Sequence, residues 1–125
     1  MIDRNEKELE HNSDGMAIYD YIVNHTPECI DEMDTLTEKL IAEDRSGKYV
    51  ASAIKFLVSI DNQDYRKWIY SLLEAAIQKD RERRYIGGLL EVVWGPDYNE
   101  HVEELNRTDD NFRRIYKRVY PGNKV

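Results

Sequence analysis

Apolar residues along this chain recur at spacings of three and four from Asp14 nearly to the end, and no stretch sustains a period of two. That pattern predicts helices and no strands. Met16, Tyr19, Ile22 and Val23 give a first short helix to about Asn24. Thr26-Pro27 reads as the start of a second, because the hydroxyl can cap and proline suits the first helical position. Ile30, Met33, Leu36, Leu40 and Ile41 carry its stripe to about Asp44, and Gly47 offers a stop. A third helix is expected over Lys48–Ile60, with Val50, Ala53, Ile54, Leu57 and Val58 inward and Ala51 and Ala53 small enough for close helix approach.

The strongest signal is the fourth helix, Gln63 to Lys79, where Tyr65, Trp68, Ile69, Leu72, Leu73, Ala76 and Ile77 form a wide apolar face. It is the expected centre of the core. Asp80 is placed to cap a fifth helix bearing Tyr85, Ile86, Leu89, Leu90, Val93 and Trp94, and no breaker between Lys79 and Arg84 separates the two. Gly87-Gly88 costs that stretch about 2 kcal/mol of propensity relative to alanine, which marks close packing, a kink or a pocket wall. Gly95-Pro96 is a firm break, after which Asp97 restarts a short helix through Val102 and Leu105. Thr108 reads as the cap of a last helix with Phe112, Ile115, Tyr116 and Val119 inward, ended by Pro121-Gly122. The expected fold is all-α: one irregular, orthogonal bundle of six to seven short helices over residues 13–122, after a polar, frayed lead-in at 1–12. Asp64-Tyr65 recurs as Asp97-Tyr98, 33 residues on, and two ordinary amphipathic helices that each start with aspartate account for this.

A chain of 125 residues fits one domain and needs no staple. Cys29 is the only cysteine, which excludes an intramolecular disulfide and a cysteine-based zinc site. The charged N-terminus lacks a signal peptide's apolar core, and no apolar run reaches the ~20 residues of a membrane span. A soluble, cytoplasmic protein with no membrane contact is the expectation.

Charge divides the chain. Residues 1–62 carry six Lys/Arg against fourteen Asp/Glu, and residues 63–125 carry twelve against eleven, for a net −7. This acidity argues against sequence-independent nucleic-acid binding, which needs an excess of cations. The second half gathers its cations in two knots: Lys79, Arg81, Arg83 and Arg84 beside Tyr85, and Arg113, Arg114, Lys117 and Arg118 beside Tyr120. Arginine with tyrosine is the composition of binding hot spots and of phosphate contacts. Basic residues late in a helix also simply complement its dipole. Nine tyrosines exceed what a core of this size absorbs, and tyrosine gives large contact area with few rotors to freeze.

Catalytic patterns are missing. Gly87-Gly88 lacks the lysine and hydroxyl of a phosphate loop, and no serine has a nucleophile-elbow context. Glu8 and His11 supply one half-motif of a di-iron site without its partner. The acidic run Glu28, Asp31, Glu32 and Asp34 lacks calcium-loop spacing and reads as a solvated face or as a negative patch for a basic partner. Cys29 near a helix start is flanked by acids that oppose thiol activation. No cofactor and no metal are expected. The reading is a non-enzymatic binding, adaptor or inhibitor-type protein, by class analogy a phage or mobile-element accessory factor. A protein partner contacts the two basic knots, and the complementary acidic and basic faces allow homo-oligomerisation. The alternative is a regulatory protein that holds nucleic acid with the same knots.

Overall fold

The structure, a computed structural model, describes residues 15–121. The polar lead-in and the Glu8–His11 pair lie outside them. Seven helices follow in order: α1 Met16–His25, α2 Met33–Glu43, α3 Lys48–Asp61, α4 Arg66–Lys79, α5 Leu89–Trp94, α6 Val102–Thr108 and α7 Asp110–Val119. Short 3-10 turns at Ile30–Glu32, Ile86–Gly88 and Tyr98–His101 lead into α2, α5 and α6. There are no strands among the described residues, so the fold is the all-α bundle that the periodicity implies. No helix among them is long and apolar enough to cross a membrane.

The central pair is α3 with α4. Helices α1 and α5 pack on α3, whereas α2 and α7 pack on α4. Helix α4 earns its central place because Ile69, Leu72, Leu73, Ala75, Ala76 and Ile77 are all buried, so neighbours cover most of its circumference. Each large apolar side chain among these contributes about 1.5–3 kcal/mol by leaving water. On α3, Ala51 and Ala53 are buried with Val50, Ile54 and Leu57, which fits the close approach of α1 and α4. Phe112 and Ile115 complete the core from α7.

Three expected helix starts are corrected. Thr26 does not cap α2: its hydroxyl donates back to the Ile22 carbonyl at 2.6 Å and closes α1 instead. The Thr26-Pro27 peptide is cis, and α2 begins only at Met33, which leaves Ile30 42% exposed rather than on an inner stripe. Asp80 caps no following helix, because its carboxylate holds the amides of the loop at Arg84, Tyr85 and Ile86, and α4 and α5 are separate. Thr108 is the last residue of α6, bonded to the Glu104 carbonyl; Asp109 is the cap, accepting from the Phe112 amide at 3.1 Å. Gly47 is not a stop for α2 but the left-handed residue (φ 90°) that turns the chain into α3.

The tyrosine surplus is absorbed by the rim of the core. Tyr65 and Tyr98 are buried, Tyr19, Tyr49, Tyr70, Tyr85 and Tyr116 are half-buried, and only Tyr21 and Tyr120 are exposed. In the α5–α7 corner, Trp94 meets Phe112 edge-on at 5.2 Å, and Phe112, Tyr116 and Tyr120 follow one another along α7.

Candidate functional site

The basic end of the molecule is built on Asp80, which terminates α4 and is 2% exposed. Its carboxylate is turned inward. Oδ1 accepts the Arg84 amide at 2.9 Å, and Oδ2 accepts the amides of Tyr85 at 2.7 Å and Ile86 at 2.8 Å. A buried carboxylate is tolerable when backbone donors saturate it. Here those donors come from a loop, so residues 81–85 are held in a tight arch and cannot continue the helix. Arg83 sits in that arch at φ 60°, a conformation costing a non-glycine residue about 1–2 kcal/mol.

Arg83 and Arg118 use that arch to join the two knots. Arg118 donates Nη2 to the Asp80 carbonyl at 3.0 Å and Nη1 to the Ile77 carbonyl, which caps the C-terminal turn of α4. In return, Arg83 Nη1 donates to the Arg118 carbonyl at 3.0 Å, at the end of α7. Each arginine closes the helix that carries or precedes the other. The 79–85 arch and the last turn of α7 therefore form one surface.

The remaining predicted residues divide. Arg84 pairs with Glu82 at 3.1 Å. Tyr85 is half-buried and packs against the core. Tyr120 is 37% exposed, and its hydroxyl meets that of Tyr98 at 3.1 Å. That hydrogen bond, followed by burial, pushes the Tyr98 phenol up to about 12. Arg113 and Arg114 lie a turn or more back along α7 and both face Asp110, Arg113 closely and Arg114 at 3.9 Å. The Arg113 hydrogen bond, with its charge, holds the Asp110 carboxyl below the ordinary range. Lys79, Arg81 and Lys117 form no ion pair among the described residues. So Lys79, Arg81 and Lys117 keep free cationic heads at this end, Tyr120 adds an exposed ring, and Arg113 and Arg114 belong elsewhere.

Arg114 instead lines an open groove of about 750 Å³ between α4 and α7, with Arg66, Tyr70 and Glu74 opposite it and Trp94 alongside. Arg66 lies over the Tyr70 ring at 5.1 Å and donates to its hydroxyl at 2.8 Å. The Trp94 indole donates to Asp109 at 2.8 Å. Arg66 and Tyr70 escaped the sequence reading because they belong to neither knot. Their one sequence signal is the i,i+4 spacing of a cation and an aromatic.

The early acidic run is partly spent within the fold. Asp34 accepts from the Trp68 indole at 2.8 Å and pairs with Lys67 at 3.1 Å, and these two partners hold its carboxyl below the ordinary range. Glu32 accepts from the Tyr21 hydroxyl at 3.3 Å, with the Tyr21 ring stacked on His25. Cys29 is buried and its sulfur lies 3.4 Å from the Thr26 hydroxyl. Gly87 and Gly88 line none of the pockets described here: Gly87 faces Val119, and Gly88 faces the Lys55 side chain. No group of three or more His, Cys, Asp or Glu among the described residues could hold a metal ion. Comparison with protein-family models, with curated proteins and with solved structures finds no match.

Proposed function

We propose that this chain is a non-enzymatic binding protein, of adaptor or inhibitor type, whose contact surface is the basic end formed by the 79–85 arch and the last turn of α7. One observation carries the reading. The fold joins the first knot to the last turn of α7 through Arg83 and Arg118, and leaves Lys79, Arg81 and Lys117 unpaired and Tyr120 exposed. Cations carried on an arch that Asp80 already fixes, with an aromatic at the edge, suit an acidic partner surface because little loop entropy is lost on docking. A protein partner is favoured over nucleic acid because the uncommitted cations of the two knots, Lys79, Arg81 and Lys117, are confined to the arch and the last turn of α7. A strand of phosphates is instead tracked by cations spread along a groove.

The test is affinity capture from native-host lysate with and without nuclease, read by mass spectrometry. A stoichiometric protein partner that survives nuclease supports the proposal. Recovery that disappears with nuclease overturns it and makes nucleic acid the ligand.

A further inference from the structure

We infer that the recess between the 44–47 loop and the 79–85 arch is an anion pocket for a single phosphomonoester carried on the partner protein; the choice of partner rests on the binding function proposed above. The recess, about 270 Å³, is lined by Arg45, Ser46, Lys79, Arg81, Arg84 and Tyr85, with Asp80 and Glu82 as its two acidic neighbours. Arg45 comes from the acidic half of the chain. The fold carries it to the basic knot because the two loops touch: a Cβ added to Gly47 would lie 3.4 Å from the Asp80 Cβ and 3.6 Å from the Lys79 Cβ.

The acidic neighbours do not cancel this field. Asp80 spends both oxygens on three backbone amides, and Glu82 is paired with Arg84 at 3.1 Å. Arg45, Lys79 and Arg81 make no ion pair or side-chain hydrogen bond with another described residue. Three free cations around one small recess match a compact dianion, and guanidinium forks suit phosphate oxygens in particular. The larger α4–α7 groove has the opposite balance, with Glu74, Asp109 and Asp110 against Arg66 and Arg114. A phosphorylated serine, threonine or tyrosine presents the required group, with about −1.5 to −2 charge and three acceptor oxygens.

The experiment is a titration of the ¹⁵N-labelled chain followed by amide NMR, with inorganic phosphate as probe and sodium chloride at matched ionic strength as control. Phosphate should shift the amides of residues 45–46 and 81–85 saturably, and chloride should not. In Arg45→Gln/Arg81→Gln, whose replaced heads support no contact in the fold, affinity should fall about tenfold or more. Shifts equal to those from chloride, or unchanged in the double variant, overturn the pocket. An oligothymidylate that saturates below the phosphate concentration, with shifts spreading along α7, also overturns it in favour of phosphodiester. A partner captured equally by wild type and double variant removes the pocket and leaves the binding function standing. Saturable, variant-sensitive phosphate shifts support the pocket even where wild type captures no protein, an outcome that removes only the binding function.

Discussion

Arg118 and Asp80 are bonded through the Asp80 carbonyl, at 3.0 Å, while the Asp80 carboxylate is occupied with three amides of the following arch. One residue thus ends α4, shapes the arch and anchors α7. Arg118→Ala should cost about 2 kcal/mol, since it removes charge-assisted bonds to two helix-terminal carbonyls. A chain of this length should then melt roughly 6–10 °C lower. Arg118→Lys should recover little of this, because a single ammonium cannot reproduce the fork. Thermal unfolding followed by circular dichroism measures both.

Asp44 repeats the Asp80 device. It ends α2, is fully buried, and accepts the amides of Ser46, Gly47 and Val50, the last at 2.7 Å. Asp44→Asn and Asp80→Asn should each lose about 1–3 kcal/mol, because the amide puts a donor where an acceptor is required. Urea midpoints should fall with unchanged slopes. A change below about 0.5 kcal/mol at either position would remove the structural role given to that carboxylate.

Glycine positions should respond in opposite ways. Gly47→Ala should destabilise by about 1 kcal/mol or more, because its φ of 90° is one that L side chains rarely adopt. Gly87→Ala should be neutral or slightly stabilising, because the nearest atom to its Cβ is Val119 Cγ2 at 3.9 Å. Urea denaturation of the two variants side by side decides.

Stability should fall at both pH extremes for named reasons. Asp34 and Asp110 have depressed carboxyl pKa values when folded, Asp34 through the Trp68 and Lys67 bonds and Asp110 through Arg113. Their contribution is present above the ordinary carboxyl range and is lost as pH falls through the folded values. Both are solvent-exposed, so this acid limb is shallow. Tyr98 behaves inversely: its phenol is raised from 10.0 to about 12, so its contribution is complete below pH 10 and is lost between 10 and about 12. Tyr98→Phe should flatten the alkaline limb. Equal alkaline slopes in wild type and variant would assign that limb to another group.

Much of the fold was legible in the sequence because the apolar stripes of α3, α4 and α7 are long and regular, and α4 is central as its wide face implies. The misreadings share one cause. Thr26, Asp80 and Thr108 are all residues that cap helices well, but Thr26 and Thr108 each close the helix before them, and Asp80 holds the arch after α4 instead of starting a helix. A side-chain acceptor or hydroxyl beside a chain break serves either direction, and tertiary packing chooses. The site was half legible. Both knots stand out as clusters of like charge, but their junction through Arg83 and Arg118 spans 35 residues and leaves no local signal. Arg45 was hidden because it lies among carboxylates in the chain, although in space it lies among cations.

The most direct test of the basic end is capture from nuclease-treated native-host lysate by wild type and by Arg81→Glu/Lys117→Glu, compared quantitatively. Neither head forms an ion pair among the described residues, so the variant should keep wild-type circular dichroism and melting behaviour. A stoichiometric protein partner is expected on wild type, depleted at least tenfold on the variant. Equal recovery on both, with the fold intact, would contradict this and return these cations to ordinary surface.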